Sequence, residues 1–262
     1  MQKQGVNVHY NCRISDVDFE IDSGGNQRWI ERIHLETEGG EPKPSIQVRD
    51  TDLVFLTIGS IISNASFGAH DRPVDKPAVG SQNLGGAWTL WKKIAARQPD
   101  FGRPDQFLRD LSQSRMMTFT VTFRGGLFQR KFVKKTMPEC TGREILEELL
   151  GHLQFDQDEV EKNEILDTST CIPCMLPYSS SQFLSRAKGD RPAVVPAGAK
   201  NFAFLGQFVE IPNGIVFTTE YSVLGAIHAV KTFVKPSLVV PPMYSGQYHP
   251  LTCISVARAL FR

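Results

Sequence analysis

The chain has 262 residues, 41% hydrophobic and 22% charged, with a formal net charge of +1, which is enough for one large domain or two small ones of ordinary soluble composition. The balanced charge excludes a global field that would steer it toward nucleic acid or an anionic membrane. No run is long and apolar enough to span a bilayer. The opening Met1-Gln2-Lys3-Gln4-Gly5-Val6 has neither the apolar core nor the cleavage site of a signal peptide. Five scattered cysteines, Cys12, Cys140, Cys171, Cys174 and Cys253, fit reduced thiols and an intracellular setting, so a cytoplasmic location is expected.

The first 65 residues read as β-rich. Val6 to Tyr10 alternates apolar and polar, as a half-buried strand does. Arg13 to Ile21 repeats the pattern through Val17, Phe19 and Ile21; Asp22 to Asn26 is a turn, and Trp29 to Leu35 is the returning strand. Gly39 to Pro44 is a second turn. The short apolar run from Asp52 to Thr57, leading to Gly59-Ser60, suits a strand buried on both faces. Beyond it, glycines and prolines punctuate a loop; Trp88 to Ala96 and Pro104 to Leu111 read as short helices, and Met117 to Phe123 as a strand. Thr141-Gly142-Arg143-Glu144 is a capping box before a helix carrying Ile145, Leu146, Leu149, Leu150 and Leu153. Asp156 to Asp167 reads as its exit and a linking turn, and Cys171-Ile172-Pro173-Cys174 as loop. Asn201 to Leu205 is a buried strand stopping at Gly206-Gln207; a helix opens at Thr218-Thr219-Glu220 and runs to about Phe233. Leu251 to Phe261 forms a last short helix.

Two of these segments carry chemistry. A strand ending at Leu56-Thr57-Ile58-Gly59-Ser60 is either the Gly-containing end that flavoproteins pack against a nucleotide, or a plain turn. The second is a strand, Gly206, a loop and a helix at Thr218. This arrangement faces phosphate, because helix N-terminal amides are unsatisfied and the dipole favours an anion. The hydroxyls of Thr218 and Thr219 either cap that helix or reach a phosphate. GxGxxG, P-loop, HExxH and GxSxG are all absent, and the six histidines are scattered, so no metal is expected. A single CxxC without a second pair is a weak zinc signal.

Several blocks together resemble the oleate hydratase (myosin-cross-reactive antigen) family. They are Lys135 to Ile145, Cys174 to Tyr178, Gly189 to Glu210, Val216 to Val223, Trp88 to Trp91, and Val240 to Tyr244. The resemblance covers nearly the whole chain and places it in the C-terminal portion of such a protein. It implies an FAD-dependent enzyme that adds water across the cis double bond of an unsaturated long-chain fatty acid such as oleate. In the family a Tyr protonates the alkene and a Glu activates water. Both residues, and the GxGxxG-type loop, belong to the part that precedes the matched blocks, so no catalytic residue is assigned here. The family also carries a long insert after the strand matching Phe119 to Phe123, with a Trp-Thr-Val-Asn-type stretch at the fatty-acid carboxylate site. Here Arg124-Gly125-Gly126 follows at once. Ile58 stands where the family usually has Asn.

The expected fold class is α/β (α+β, flavoprotein-like), an incomplete version of a fold with two dinucleotide-binding domains. Residues 1–65 and 190–235 form part of the flavin-binding domain. Residues 66–189 belong to the substrate side, with an internal deletion near 123–134, and 236–262 form a tail with a short helix. The expected FAD-binding residues are Thr57, Gly59, Ser60, Gly206, Gln207, Thr218, Thr219 and Glu220. Expected partners are the fatty acid, a peripheral membrane through the tail, and no nucleic acid, with a homodimer left open. The chain alone is expected to be inactive. The alternatives are an FAD-dependent oxidoreductase of similar layout, or a non-catalytic remnant that binds lipid or a partner.

Overall fold

The computed structural model describes residues 5–75, 84–122, 135–152, 159–212, 214, 219–240 and 249–260. Helices and sheets are mixed, in three small sheets. Strands β1 (Arg13–Ile21), β2 (Arg28–Glu36) and β3 (Pro42–Gln47) form an antiparallel meander in the order β1-β2-β3. The stretch read as a second turn thus extends into a third strand. Pro42 and Pro44 are tolerated because β3 lies at the sheet edge. Val6 to Tyr10, expected as a strand, is exposed and irregular, because no described strand pairs with it.

Strand β4 (Val54–Thr57) pairs in parallel with β8 (Phe202–Leu205), matching Val54 to Phe202 and Thr57 to Leu205. Burial in β4 alternates: Val54 and Leu56 are buried, whereas Phe55 is 42% exposed. The expectation of burial on both faces is therefore corrected, because only one face meets the core. On that face lie Phe19, Phe101, Phe202 and Phe204, with Phe101 and Phe204 edge-to-face at 4.9 Å. Buried Asn201 clamps the meander to the start of β8. Its side-chain oxygen accepts from Ile30 N at 2.8 Å, and its amide donates to Ile30 O at 2.9 Å.

Helix α1 (Gly86–Arg97) buries Trp88, Leu90, Trp91 and Ile94 against this core. The expected second helix is broken into α2 (Asp105–Leu108) and α3 (Leu111–Ser114). The cause is Asp110, whose carboxylate accepts from Ser112 N and Gln113 N and so starts a new helix.

A third sheet has the order β5-β7-β6, from β5 (Ser66–Phe67), β6 (Met116–Thr122) and β7 (Thr170–Leu176). The CxxC segment is thus strand, not loop, and Pro173 is accommodated because β5 pairs only with Cys174 and Met175. Burial pushes the Cys171 thiol up to about 11, and the Cys174 thiol also upward. Helix α4 (Gly142–His152) begins at the expected capping box: Glu144 N donates to Thr141 Oγ1 at 3.2 Å, and Thr141 N donates to Glu144 Oε2 at 2.9 Å. The segment read as a linking turn forms α5 (Glu159–Thr168), whose Ile165 and Leu166 join Ile145, Leu146 and Leu150 in a second core. Helices α6 (Thr219–Phe233) and α7 (Pro250–Leu260) follow the expected positions.

Candidate functional site

Parallel pairing of β4 with β8 sets the two expected glycine turns side by side at the C-terminal ends of neighbouring strands. That end of a parallel sheet is where α/β folds place ligands. Gly59 has φ +64° and Gly206 φ +102°, both in the left-handed region that favours glycine. Their surroundings differ. A Cβ on Gly59 would lie 2.5 Å from Phe208 Cδ2, so this glycine makes room for an aromatic ring of the core. A Cβ on Gly206 would meet only Thr57 Cγ2, at 3.2 Å, and Ile58 O, at 3.6 Å. Gly206 therefore sits at the more open backbone surface, next to exposed Thr57.

The turn after β4 is held from below. Gly59 N donates to Ala87 O at 3.3 Å, and Trp88 Nε1 donates to Ser60 O at 2.9 Å. The Gly59 N–H is thus already used, and Ser60 contributes its carbonyl to packing. The turn after β8 is held by Phe208, whose ring packs edge-to-face on Trp88 at 4.6 Å and on Phe107 at 5.4 Å. Gln207, between Gly206 and Phe208, is half-buried, and the N–H groups of Gly206 and Gln207 donate to no described residue.

Helix α6 is tied to the same loop. Buried Tyr221 donates from its hydroxyl to Val209 O at 2.8 Å and accepts from Ile211 N at 3.0 Å. Burial raises its pKa above the ordinary tyrosine value. This tether fixes the first turn of α6, with exposed Thr219 and Glu220, relative to the chain leaving Gly206-Gln207. Thr218 lies outside the described residues. Sequence reasoning missed Phe208, Trp88, Asn201 and Tyr221 as the residues that position these turns, because nothing in their spacing names their partners.

The Gly189-Asp190-Arg191-Pro192 block is packing rather than an open site. Asp190 is buried and pairs with Arg103 at 2.6 Å. Arg191 donates to Gln182 O at 2.6 Å and lies over the Phe107 ring. Burial, with Arg186 nearby, pulls its pKa below the ordinary arginine value. A separate cleft of about 660 Å³ is lined by Leu84, Leu108 and Leu111, with Lys92, Arg109 and Arg115 and with Tyr178 at one wall. It does not touch Gly59 or Gly206. Among the described residues no cluster could hold a metal ion, and no helix is long and apolar enough to cross a membrane.

Residues 1–132 and 128–231 match the MCRA family. The chain belongs to that family. It is 30% identical to an oleate hydratase of Streptococcus pyogenes serotype M49 (strain NZ131) over 311 residues, covering 95% of this chain and 51% of the relative. It is 24% identical to a linoleate hydratase of Lactiplantibacillus plantarum over 334 residues, covering all of this chain and 58% of that relative. The chain therefore spans about half the length of the curated relatives it matches. Both matches run over more positions than the 262 residues of the chain, and the two family segments meet at 128–132.

Proposed function

We propose that this chain is part of an FAD-dependent fatty-acid hydratase that adds water to the cis double bond of an unsaturated fatty acid such as oleate. In this reading it supplies one half of the flavin site. The observation that carries the reading is the parallel β4–β8 pair ending in Gly59 and Gly206, with α6 tethered behind them. The names of the relatives supply the substrate class.

The residues present fit half of a dinucleotide cradle. Gly206 and Gln207 present backbone at the open end of β8, and Thr57 lines the same surface. The first turn of α6, beginning at Thr219, would offer N–H groups to an anion. Glu220 would repel a phosphate but accepts well from hydroxyls, so it suits a sugar or ribityl chain better than the pyrophosphate. Gly59 and Ser60 shape the neighbouring turn. Bound flavin would contribute electrostatics and shape, because hydration involves no net redox change. In this reading the chain's own residues hold and orient.

The cleft bearing Arg109 and Arg115 beside leucines, with Asp105 and Asp110 also in its wall, lies in the stretch assigned to the substrate side. Two family segments meeting at 128–132 support the reading that an insert is missing near 123–134. The described residues of α7 are all exposed, including Leu251, Ile254, Val256 and Leu260, which supports the proposed peripheral contact of the tail with a lipid surface.

The test is FAD titration of the purified chain, followed by tryptophan fluorescence, beside product analysis with oleate. Weak binding and no hydroxystearate are expected. Hydroxystearate above the no-protein control, or stoichiometric yellow flavin after purification, would overturn the half-site reading.

A further inference from the structure

The antiparallel meander carries a cluster of reactive side chains outside the glycine turns. His34 in β2 sits between Asp18 in β1 and Ser45 in β3. Its Nε2 lies 2.8 Å from Asp18 Oδ2, and its Nδ1 lies 3.1 Å from Ser45 Oγ. Strand register produces this arrangement. Ile33 opposes Ile46 and Leu35 opposes Lys43, so the single His34 faces both Pro44 and Ser45 of a bulged β3. A bulge re-aims the side chains beside it. On the other flank His34 is in register with Asp16, which leaves Asp18, two residues along, at the diagonal.

The chemistry of the three groups assigns their roles. An ionised carboxylate only accepts hydrogen bonds, so Asp18 holds the proton of a neutral His34 on Nε2. The lone pair of Nδ1 is then left facing Ser45, whose hydroxyl donates to it. A serine hydroxyl is a weak nucleophile alone, and an adjacent base oriented by a third group is what activates it. Ser45 is exposed on an edge strand, and the side chains of His34 and Asp18 are 35% and 40% exposed, so all three are reached from solvent. Arg32, two residues before His34 in β2, is held through its Nε by Gln47 at 3.3 Å, and its terminal nitrogens donate to no described residue. They can donate to the negative charge that develops on a carbonyl oxygen under attack.

We propose that Ser45, His34 and Asp18 form a surface nucleophilic site that accepts the acyl group of small activated carboxylic esters and hydrolyses it. Ser45 Oγ attacks the ester carbonyl carbon while its proton passes to His34 Nδ1. The bond to the leaving oxygen then breaks, and the alcohol departs with the proton held by His34. Water attacks the acyl-serine in the same way, giving up a proton to Nδ1 that returns to Ser45 Oγ as the carboxylic acid leaves. Ester and water thus become acid and alcohol, with no other reactant. Ser45 and His34 are the catalytic residues, and Asp18 is a positioning residue that acts through the imidazole. The substrate class follows from the setting: an edge strand open to solvent favours a small ester whose leaving group departs readily. The site stands apart from the flavin reading and does not depend on it.

The test incubates the full chain with p-nitrophenyl acetate and follows acetylation of Ser45 by mass spectrometry of its peptides, beside nitrophenolate release. Acetyl-Ser45 is expected in the unsubstituted chain, and none at position 45 in Ser45→Ala. His34→Gln should slow acetylation of Ser45 by about a hundredfold, the scale of general base catalysis. Asp18→Asn should slow it as well, and Asp18→Glu should restore part of the rate. Nitrogen NMR reads the positioning role directly: His34 should be protonated at Nε2 in the unsubstituted chain and a mixture of tautomers in Asp18→Asn. Circular dichroism checks that each variant folds. A fluorophosphonate, which labels activated serines, gives a measurement that needs no variant and should modify Ser45 above all other serines. Acetyl groups confined to lysines would overturn the proposal, as would a Ser45 rate that His34→Gln leaves unchanged. So would fluorophosphonate labelling that passes over Ser45, or a His34 protonated at Nδ1.

Discussion

Replacing Gly59 with Ala tests how the turn after β4 is built. The residue has φ +64°, and an added Cβ would lie 2.5 Å from Phe208 Cδ2 and 2.9 Å from Phe208 Cγ. The first effect is backbone strain of about 1–2 kcal/mol for an L-residue in the left-handed region. The second is overpacking. Phe208 cannot move aside freely, because Trp88 and Phe107 hold its ring at 4.6 and 5.4 Å. Forcing such a core typically costs about 1–3 kcal/mol, so Gly59→Ala should lose about 2–5 kcal/mol in total. Urea unfolding of four proteins separates the two effects: the unsubstituted chain, Gly59→Ala, Phe208→Ala and the double variant. With the ring gone, Gly59→Ala should cost only its strain of about 1–2 kcal/mol. Full additivity of the two substitutions would refute the contact between Gly59 and Phe208 as the reason for glycine at this position.

Tyr221→Phe should cost about 1–3 kcal/mol by leaving Val209 C=O and Ile211 N–H unpaired in the core; an unchanged urea midpoint would count against the tether between α6 and the Gly206 loop. Thr141→Ala should cost about 1 kcal/mol by opening the capping box. The Lys135 ion pair, with the Thr141 N–H, holds the Glu144 carboxyl below the usual glutamate range. Its contribution is therefore complete above the ordinary glutamate pKa and is lost as pH falls through the lowered value. The difference in stability between the chain and Glu144→Gln should shrink on acidification over that window. Cys171, buried and raised to about 11, should react with iodoacetamide far more slowly at pH 8 than exposed Cys253, as read by mass spectrometry over time. Equal rates would mean that β7 opens readily.

Local signals in the sequence were sufficient where a structural element is decided by its neighbours along the chain. The capping box at Thr141, the hairpin from Arg13 to Glu36 and the helix carrying Trp88 and Trp91 all followed from hydrogen-bonding residues and periodicity within a few positions. The family could also be read from the blocks around Lys135, Cys174 and Gly206. What the sequence misjudged depends on distant partners. The stretch around Cys171 became a strand because β6 supplies a ladder, and Val6 to Tyr10 stayed irregular, with no strand among the described residues to pair with it. Residues 159–168 became a helix because Ile165 and Leu166 found a second core beside Ile145 and Leu150. The two glycines were legible as turn residues. Only tertiary structure gave them different surroundings, with Gly59 facing the Phe208 ring and Gly206 the more open ends of two parallel strands. Strand pairing between positions 54 and 202 brings them together, and that closure over nearly 150 residues leaves no trace in local spacing.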